Sequence, residues 1–130
     1  MMALDMRLDP TVAAADRIRG HAFQPPKADL AKIPALYATE ATEPADKTLW
    51  LHFFVGGCDW YVAELDQDIM LAFGWARLSP GCGEWGYMDL LELATTLVPM
   101  SSPARTVKIA IERDKWWTPT KASDILRKEQ

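Results

Sequence analysis

TLWLHFFVGGCDWYVAELDQDIMLAFGWARL, residues 48–78, decides the fold. Residues 48–55 are rich in aromatic and β-branched side chains and run into Gly56-Gly57, a two-residue turn signal, so they read as one arm of a hairpin whose other arm is residues 59–65. Asp66-Gln67-Asp68 supplies a second turn, and residues 69–78 a third strand, in which Gly74 marks a bulge or a close backbone approach. Working outward toward the C-terminus, residues 79–83 read as loop and 84–88 as a short strand. Asp89 is placed to cap a helix running to about residue 97, with Glu92 completing a capping box. Residues 98–104 carry Pro and Ser and read as loop; residues 106–112 alternate, with Val107, Ile109 and Ile111 on one face of a half-exposed strand. A short helical segment over residues 123–129 closes the chain.

Toward the N-terminus, Asp9, Pro10 and Gly20 are the cap, first-turn residue and stop of a helix over residues 10–19. Pro25, Pro26 and Pro34 then punctuate an extended stretch. The organisation predicted is an N-terminal helix and Pro-rich linker over residues 1–32, followed by a single domain over 33–130. The fold class predicted is α+β: an antiparallel meander sheet of about five strands, with one or two helices packed on one face. Trp50, Phe54, Tyr61, Phe73, Trp85, Tyr87, Ile109 and Ile111 are the expected bulk of its core.

At 130 residues, 49% apolar and 25% charged, the chain has ordinary globular composition, which excludes a fibrous repeat or wholesale disorder. Apolar runs are too short to span a bilayer, and Asp5, Arg7 and Asp9 stand where a secretory signal would need its apolar stretch, so a cytoplasmic protein is expected. In that compartment Cys58 and Cys82 read as reduced thiols. The charge is uneven. Between Glu40 and Glu92 ten acids face only Lys47 and Arg77, a net of −8, against −4 for the whole chain. Such a segment repels nucleic acid and attracts basic surfaces.

Leu36-Tyr37-Ala38-Thr39-Glu40, Trp60-Tyr61-Val62-Ala63-Glu64, Ala72-Phe73-Gly74, Glu84-Trp85-Gly86-Tyr87 with Leu91-Glu92-Leu93, and Ile111-Glu112-Arg113-Asp114 follow one another in a pattern. In order and spacing it resembles a family of small bacterial, plasmid and phage proteins known only as a domain of unknown function. The resemblance spans roughly residues 33–126 and departs in two places: Ala63 stands where Thr usually precedes Glu, and Trp116-Trp117 where a single aromatic follows the Glu-Arg-Asp step. It implies a mobile-element setting and no assigned catalytic residue.

Candidate binding residues are Glu40, Glu64, Asp66, Asp68, Glu84, Glu92, Glu112, Arg113, Trp116 and Trp117. Several of these carboxylates fall at strand ends, and paired carboxylates act as acid and base or hold a hard cation, although they more often serve structural ion pairs. Trp116-Trp117 lies among charges and suits a partner contact as well as a lid over a sheet edge. His52 sits mid-strand with His21 far away, and the two cysteines do not form a ligand pair, so no metal site is expected. Phosphate-binding glycine motifs and a Gly-x-Ser-x-Gly elbow are absent, and no cofactor is expected.

The expectation is therefore a non-enzymatic binding protein of a mobile genetic element, in particular a counter-defence protein acting through an acidic surface on a host protein or nucleoprotein complex. It would contact neither nucleic acid directly nor membrane and would exist as monomer or homodimer. The alternative is a small carboxylate-based enzyme or ligand- or metal-binding domain using Glu64, Glu84 and Glu112 around a pocket near His52.

Overall fold

A computed structural model describes residues 3–101 and 103–128. The architecture is α+β. Helix α1 (Pro10–Arg19) and the short α2 (Lys27–Leu30) precede strands β1 (Thr48–Leu49), β2 (Leu51–Val55), β3 (Cys58–Asp66), β4 (Leu71–Arg77) and β5 (Gly83–Asp89). Helix α3 (Leu90–Thr95), strands β6 (Leu97–Ser101), β7 (Thr106–Ala110), β8 (Glu112–Arg113) and β9 (Thr120–Lys121), and helix α4 (Ala122–Lys128) follow. The central sheet is antiparallel and five-stranded, in the order β5-β4-β3-β2-β8; β1 pairs with β9 and β6 with β7 in two small separate sheets.

Each sequence signal acts locally as expected at the first helix and the first hairpin. Asp9 accepts the Thr11 N–H at 2.8 Å and the Val12 N–H at 3.2 Å, Pro10 opens α1 and Gly20 ends it. The Gly56-Gly57 turn sets Val55 opposite Cys58, and the register runs from there to Leu51 opposite Val62. At Gly74 the close approach is real: a Cβ there would lie 1.8 Å from the Tyr61 carbonyl oxygen. The bulge itself falls across the ladder on β3, where the register slips between Val62 and Glu64.

Two expectations about the strands are corrected. Residues 48–55 are not one strand, because at Trp50 the chain leaves the β9 pairing and joins the central sheet. Residues 98–104 are not all loop: β6 pairs with β7 as a hairpin, Leu97 opposite Ala110 and Ser101 opposite Thr106, so the fifth strand of the main sheet is only Glu112–Arg113. Two helices pack on one face as expected, α1 and α3 burying Val12, Leu90 and Ala94 in one cluster, while a further helix, α4, lies against the other face and buries Ala122 and Ile125 with Leu49, Tyr61 and Ala63.

The core is also chosen differently. Of the eight residues expected to dominate it, only Tyr61 and Ile111 are buried, and Tyr87 is 55% exposed. The sealed face of the sheet carries Leu51, Phe53, Val55, Val62, Leu65, Ala72 and Met88 instead. Both faces of these strands are apolar enough to be buried, so alternation alone does not say which one the helices take. Met6, Val12, Phe23 and Leu30 enter the same buried cluster, with Phe23 stacked on Phe53 at 4.4 Å between ring centroids. The N-terminal segment is thus part of the wall of the core. Arg19 is buried with it: its guanidinium donates to the Ile111 carbonyl at 3.0 Å and to that of Ala94, and lies over the Phe23 ring.

Candidate functional site: the open face of the sheet

Residues paired directly across antiparallel strands project to the same side. On the side away from α1 and α3, the register therefore builds successive rows: Asp66, Leu71 and Asp89; then Glu64, Phe73 and Tyr87; then His52, Tyr61, Trp75 and Trp85; then Phe54, Asp59, Arg77 and Gly83. Aromatic rings fill the middle. Phe73 meets Trp85 at 5.8 Å and Tyr87 at 5.3 Å, and Trp75 meets Trp85 edge-on at 5.6 Å. Gly83 leaves room for the Trp75 indole, whose ring a Cβ would meet at 2.1 Å. Helix α4 and Trp117 cover Tyr61, and Trp75 and Trp85 pack half-buried against the same cluster, while Phe73 stays half-buried between Trp85 and Tyr87.

At one end of the face, the 37–47 loop is tied down by Glu64. The bulge brings this buried carboxylate onto the open side, where it accepts the Tyr37 N–H at 2.8 Å, the Thr39 N–H at 3.1 Å and the Thr39 hydroxyl. Lys47, also buried, donates to the Thr39 carbonyl at 2.6 Å and hydroxyl at 2.7 Å and lies 3.7 Å from Glu64. Burial raises the Glu64 pKa, but the three hydrogen bonds and Lys47 outweigh it and hold the carboxyl below its ordinary value. The loop is held tightly enough to keep Tyr37 at a φ of 69°, a left-handed conformation uncommon for an aromatic residue. The neighbouring Tyr37 side chain, with desolvation and the nearby Glu64 and Glu40, raises the Tyr87 pKa. Between the loop and the sheet lies a cleft of about 360 Å³, lined by Tyr37, Glu40, Thr42, Pro44, Lys47, Glu64, Phe73 and Tyr87.

At the other end His52 is clamped between two carboxylates. Its Nδ1 is 2.9 Å from Asp114 and its Nε2 is 2.8 Å from Asp59, which also accepts from the Arg77 guanidinium. The imidazole stacks on Tyr61 at 4.6 Å, and the His52 carbonyl accepts the Asp114 N–H at 2.9 Å. With both ring nitrogens engaged, His52 fastens the segment after β8 to the sheet; the hollow beside it is only about 80 Å³. Among the described residues, no cluster of three His, Cys, Asp or Glu side chains is arranged to hold a metal ion. Cys58 and Cys82 are free thiols.

The structure brings together some of the residues nominated from sequence. Glu40 and Glu64 share the cleft. Asp66 and Asp68 form the turn at that end of the sheet, the Asp68 N–H donating to Asp66 at 3.0 Å, and Glu92 is exposed in the first turn of α3, capped by Asp89 of the Asp66 row. The others are elsewhere. Glu84 pairs with Ala76 and projects to the opposite face, Glu112 lies on β8 with His21 at 3.6 Å, and Arg113 donates to the Ala22 carbonyl at 3.1 Å. Glu64, Glu84 and Glu112 therefore do not surround a common pocket. Trp116 is 89% exposed, whereas Trp117 is half-buried and donates its indole N–H to the Leu49 carbonyl at 3.0 Å.

Sequence reasoning missed Tyr37, Lys47, Phe73 and Tyr87 as parts of a cleft, and Asp59 and Asp114 as the partners of His52. For Asp59 a signal existed, since the Gly56-Gly57 turn alone sets His52 opposite Tyr61 and diagonal to Asp59. Asp114 had none.

One apolar face sealed by helices and one aromatic face fringed with charge and half open to solvent define a small α+β domain with a built surface site. Residues 31–125 match the family model described as a protein of unknown function, DUF2958, and the chain belongs to that family. No curated protein and no solved structure matches it. Among the described residues no helix is long and apolar enough to cross a membrane.

Proposed function

We propose that this chain is a non-enzymatic binding protein that engages a basic surface of a partner through the acidic end of its open sheet face. The observation that carries the reading is the row Asp66, Leu71 and Asp89, in register and flanked by exposed Asp68 and Glu92, with Glu40 beside the next row. Carboxylates gathered at one end of a sheet steer cationic partners and repel anionic ones, and an aromatic surface behind them supplies the desolvated anchor that binding energy needs. In its sharpest form the partner is the nucleic-acid-binding surface of a host nuclease complex, in keeping with the mobile-element setting that the resemblance implies.

The test is capture of a purified restriction or CRISPR nuclease complex by the tagged protein at low salt and at about 1 M, where the screening length falls to about 3 Å. Retention at low salt, release at high salt and loss of retention in an Asp68→Asn, Glu92→Gln double variant is the expected result. A complex that ignores the protein at both salts, or holds it equally well after the two substitutions, sinks the reading.

A further inference from the structure

We infer that the cleft between the 37–47 loop and strands β4 and β5 receives an arginine side chain of the partner. This rests on the binding reading above and adds the chemistry of one contact. Three aromatic residues, Tyr37, Phe73 and Tyr87, line it together with the Glu40 and Glu64 carboxylates. At about 360 Å³ it falls at the small end of ligand-sized sites, roughly 300–1,000 Å³.

The two carboxylates differ in availability. Glu64 is buried and engaged by Tyr37, Thr39 and Lys47, so it contributes field rather than a free acceptor. Glu40 is exposed, and among the described residues its carboxylate has no hydrogen bond or ion pair. Tyr37 and Tyr87 stand 60% and 55% exposed, a poor use of large aromatic surface unless something covers it.

The field excludes an anionic occupant. A cation is favoured by the carboxylates and by the ring quadrupoles together. Between the two cationic side chains, the planar and weakly hydrated guanidinium stacks on aromatic rings and meets a carboxylate with two parallel N–H donors, which a compact ammonium cannot do. The occupant is a side chain and not a free amino acid, because the one cation among the described residues that line the cleft, Lys47, is buried against Thr39 and Glu64 and is not free to hold an α-carboxylate.

The full chain is titrated with N-acetyl-arginine N-methylamide and, separately, its lysine counterpart, following backbone amide and tyrosine ring signals by NMR. Expected are saturable shifts confined to Tyr37, Glu40, Phe73 and Tyr87, with the lysine compound about two- to fivefold weaker. Glu40→Gln should weaken arginine binding about tenfold. Tyr87→Leu should do likewise while Tyr87→Phe retains most of the affinity, each variant keeping the parent amide spectrum outside the cleft. Absence of saturable shifts, equal binding of both compounds, or shifts spread over Asp68 and Glu92 would overturn the inference and leave the acidic-end reading standing. Saturable arginine binding together with a nuclease complex that ignores the protein would remove only the earlier reading.

Discussion

Gly74 and Glu64 show how single residues hold the open face in shape. A methyl group at Gly74 collides with backbone, not with a side chain that could turn aside, so Gly74→Ala should cost about 3 kcal/mol or more in denaturant unfolding. Glu64→Gln replaces an acceptor of three donors with a group that must point an N–H at one of them, a loss of about 1–3 kcal/mol at neutral pH. The pH dependence has a definite sign. Because the folded-state pKa of Glu64 is depressed, its contribution is complete above the unperturbed value of 4.5 and is lost as pH falls through the folded value. Melts of parent and Glu64→Gln protein should therefore converge at acid pH and separate above it; a gap that persists unchanged in acid would show that the carboxylate charge is not what the loop needs. The neighbouring tryptophans separate by environment. Trp116→Ala should leave stability within about 0.5 kcal/mol, whereas Trp117→Ala, which removes the Leu49 bond and the packing on Tyr61, should cost about 2–3 kcal/mol. Sequence treated the two as one motif, suited to a partner contact or to a lid over a sheet edge, and only their contacts tell them apart.

Among the elements, those set by local signals were the legible ones. Asp9, Pro10 and Gly20 bound α1, and the Gly56-Gly57 turn sets the β2–β3 register, because caps and two-residue turns act within a few residues of themselves. Strand β6 was not legible. Its residues, Leu-Val-Pro-Met-Ser, contain a proline that argues against a central strand, and β6 exists as one arm of a peripheral two-stranded hairpin, where that objection lapses. Helix α1 illustrates the same limit: its caps were readable, but the burial of Arg19 was not, since the carbonyls it satisfies at Ala94 and Ile111 are 75 and 92 residues away. Arg19→Met should destabilise by about 3 kcal/mol by leaving those acceptors unpaired, and hydrogen exchange should show opening of α1 and α3 together. Protection of α3 unchanged in that variant would mean the guanidinium does not couple the two helices.

For the molecule as a whole, the N-terminal segment completes the hydrophobic core, because Met6, Val12, Phe23 and Leu30 are buried in the cluster that seals the sheet. A chain of residues 33–130 should lose more than about 10 °C in Tm or unfold without cooperativity, as scanning calorimetry would show. Retention of the full transition would mean the sheet closes its core without that wall. By itself, the sequence determined the α+β class, the antiparallel β2–β5 meander, the capped first helix and the strong negative charge of residues 40–92, all of which follow from periodicity, turn chemistry and composition over short spans. Only the tertiary structure decided which face of the sheet is sealed, that α4 crosses to the other side, and that Tyr37, Glu40, Glu64, Phe73 and Tyr87 line one cleft. The physical reason is that both faces of these strands carry enough apolar area to be buried. Which one wins depends on where distant helices and a bulge at Ala63 place the chain, and a strand's own alternation holds no record of that.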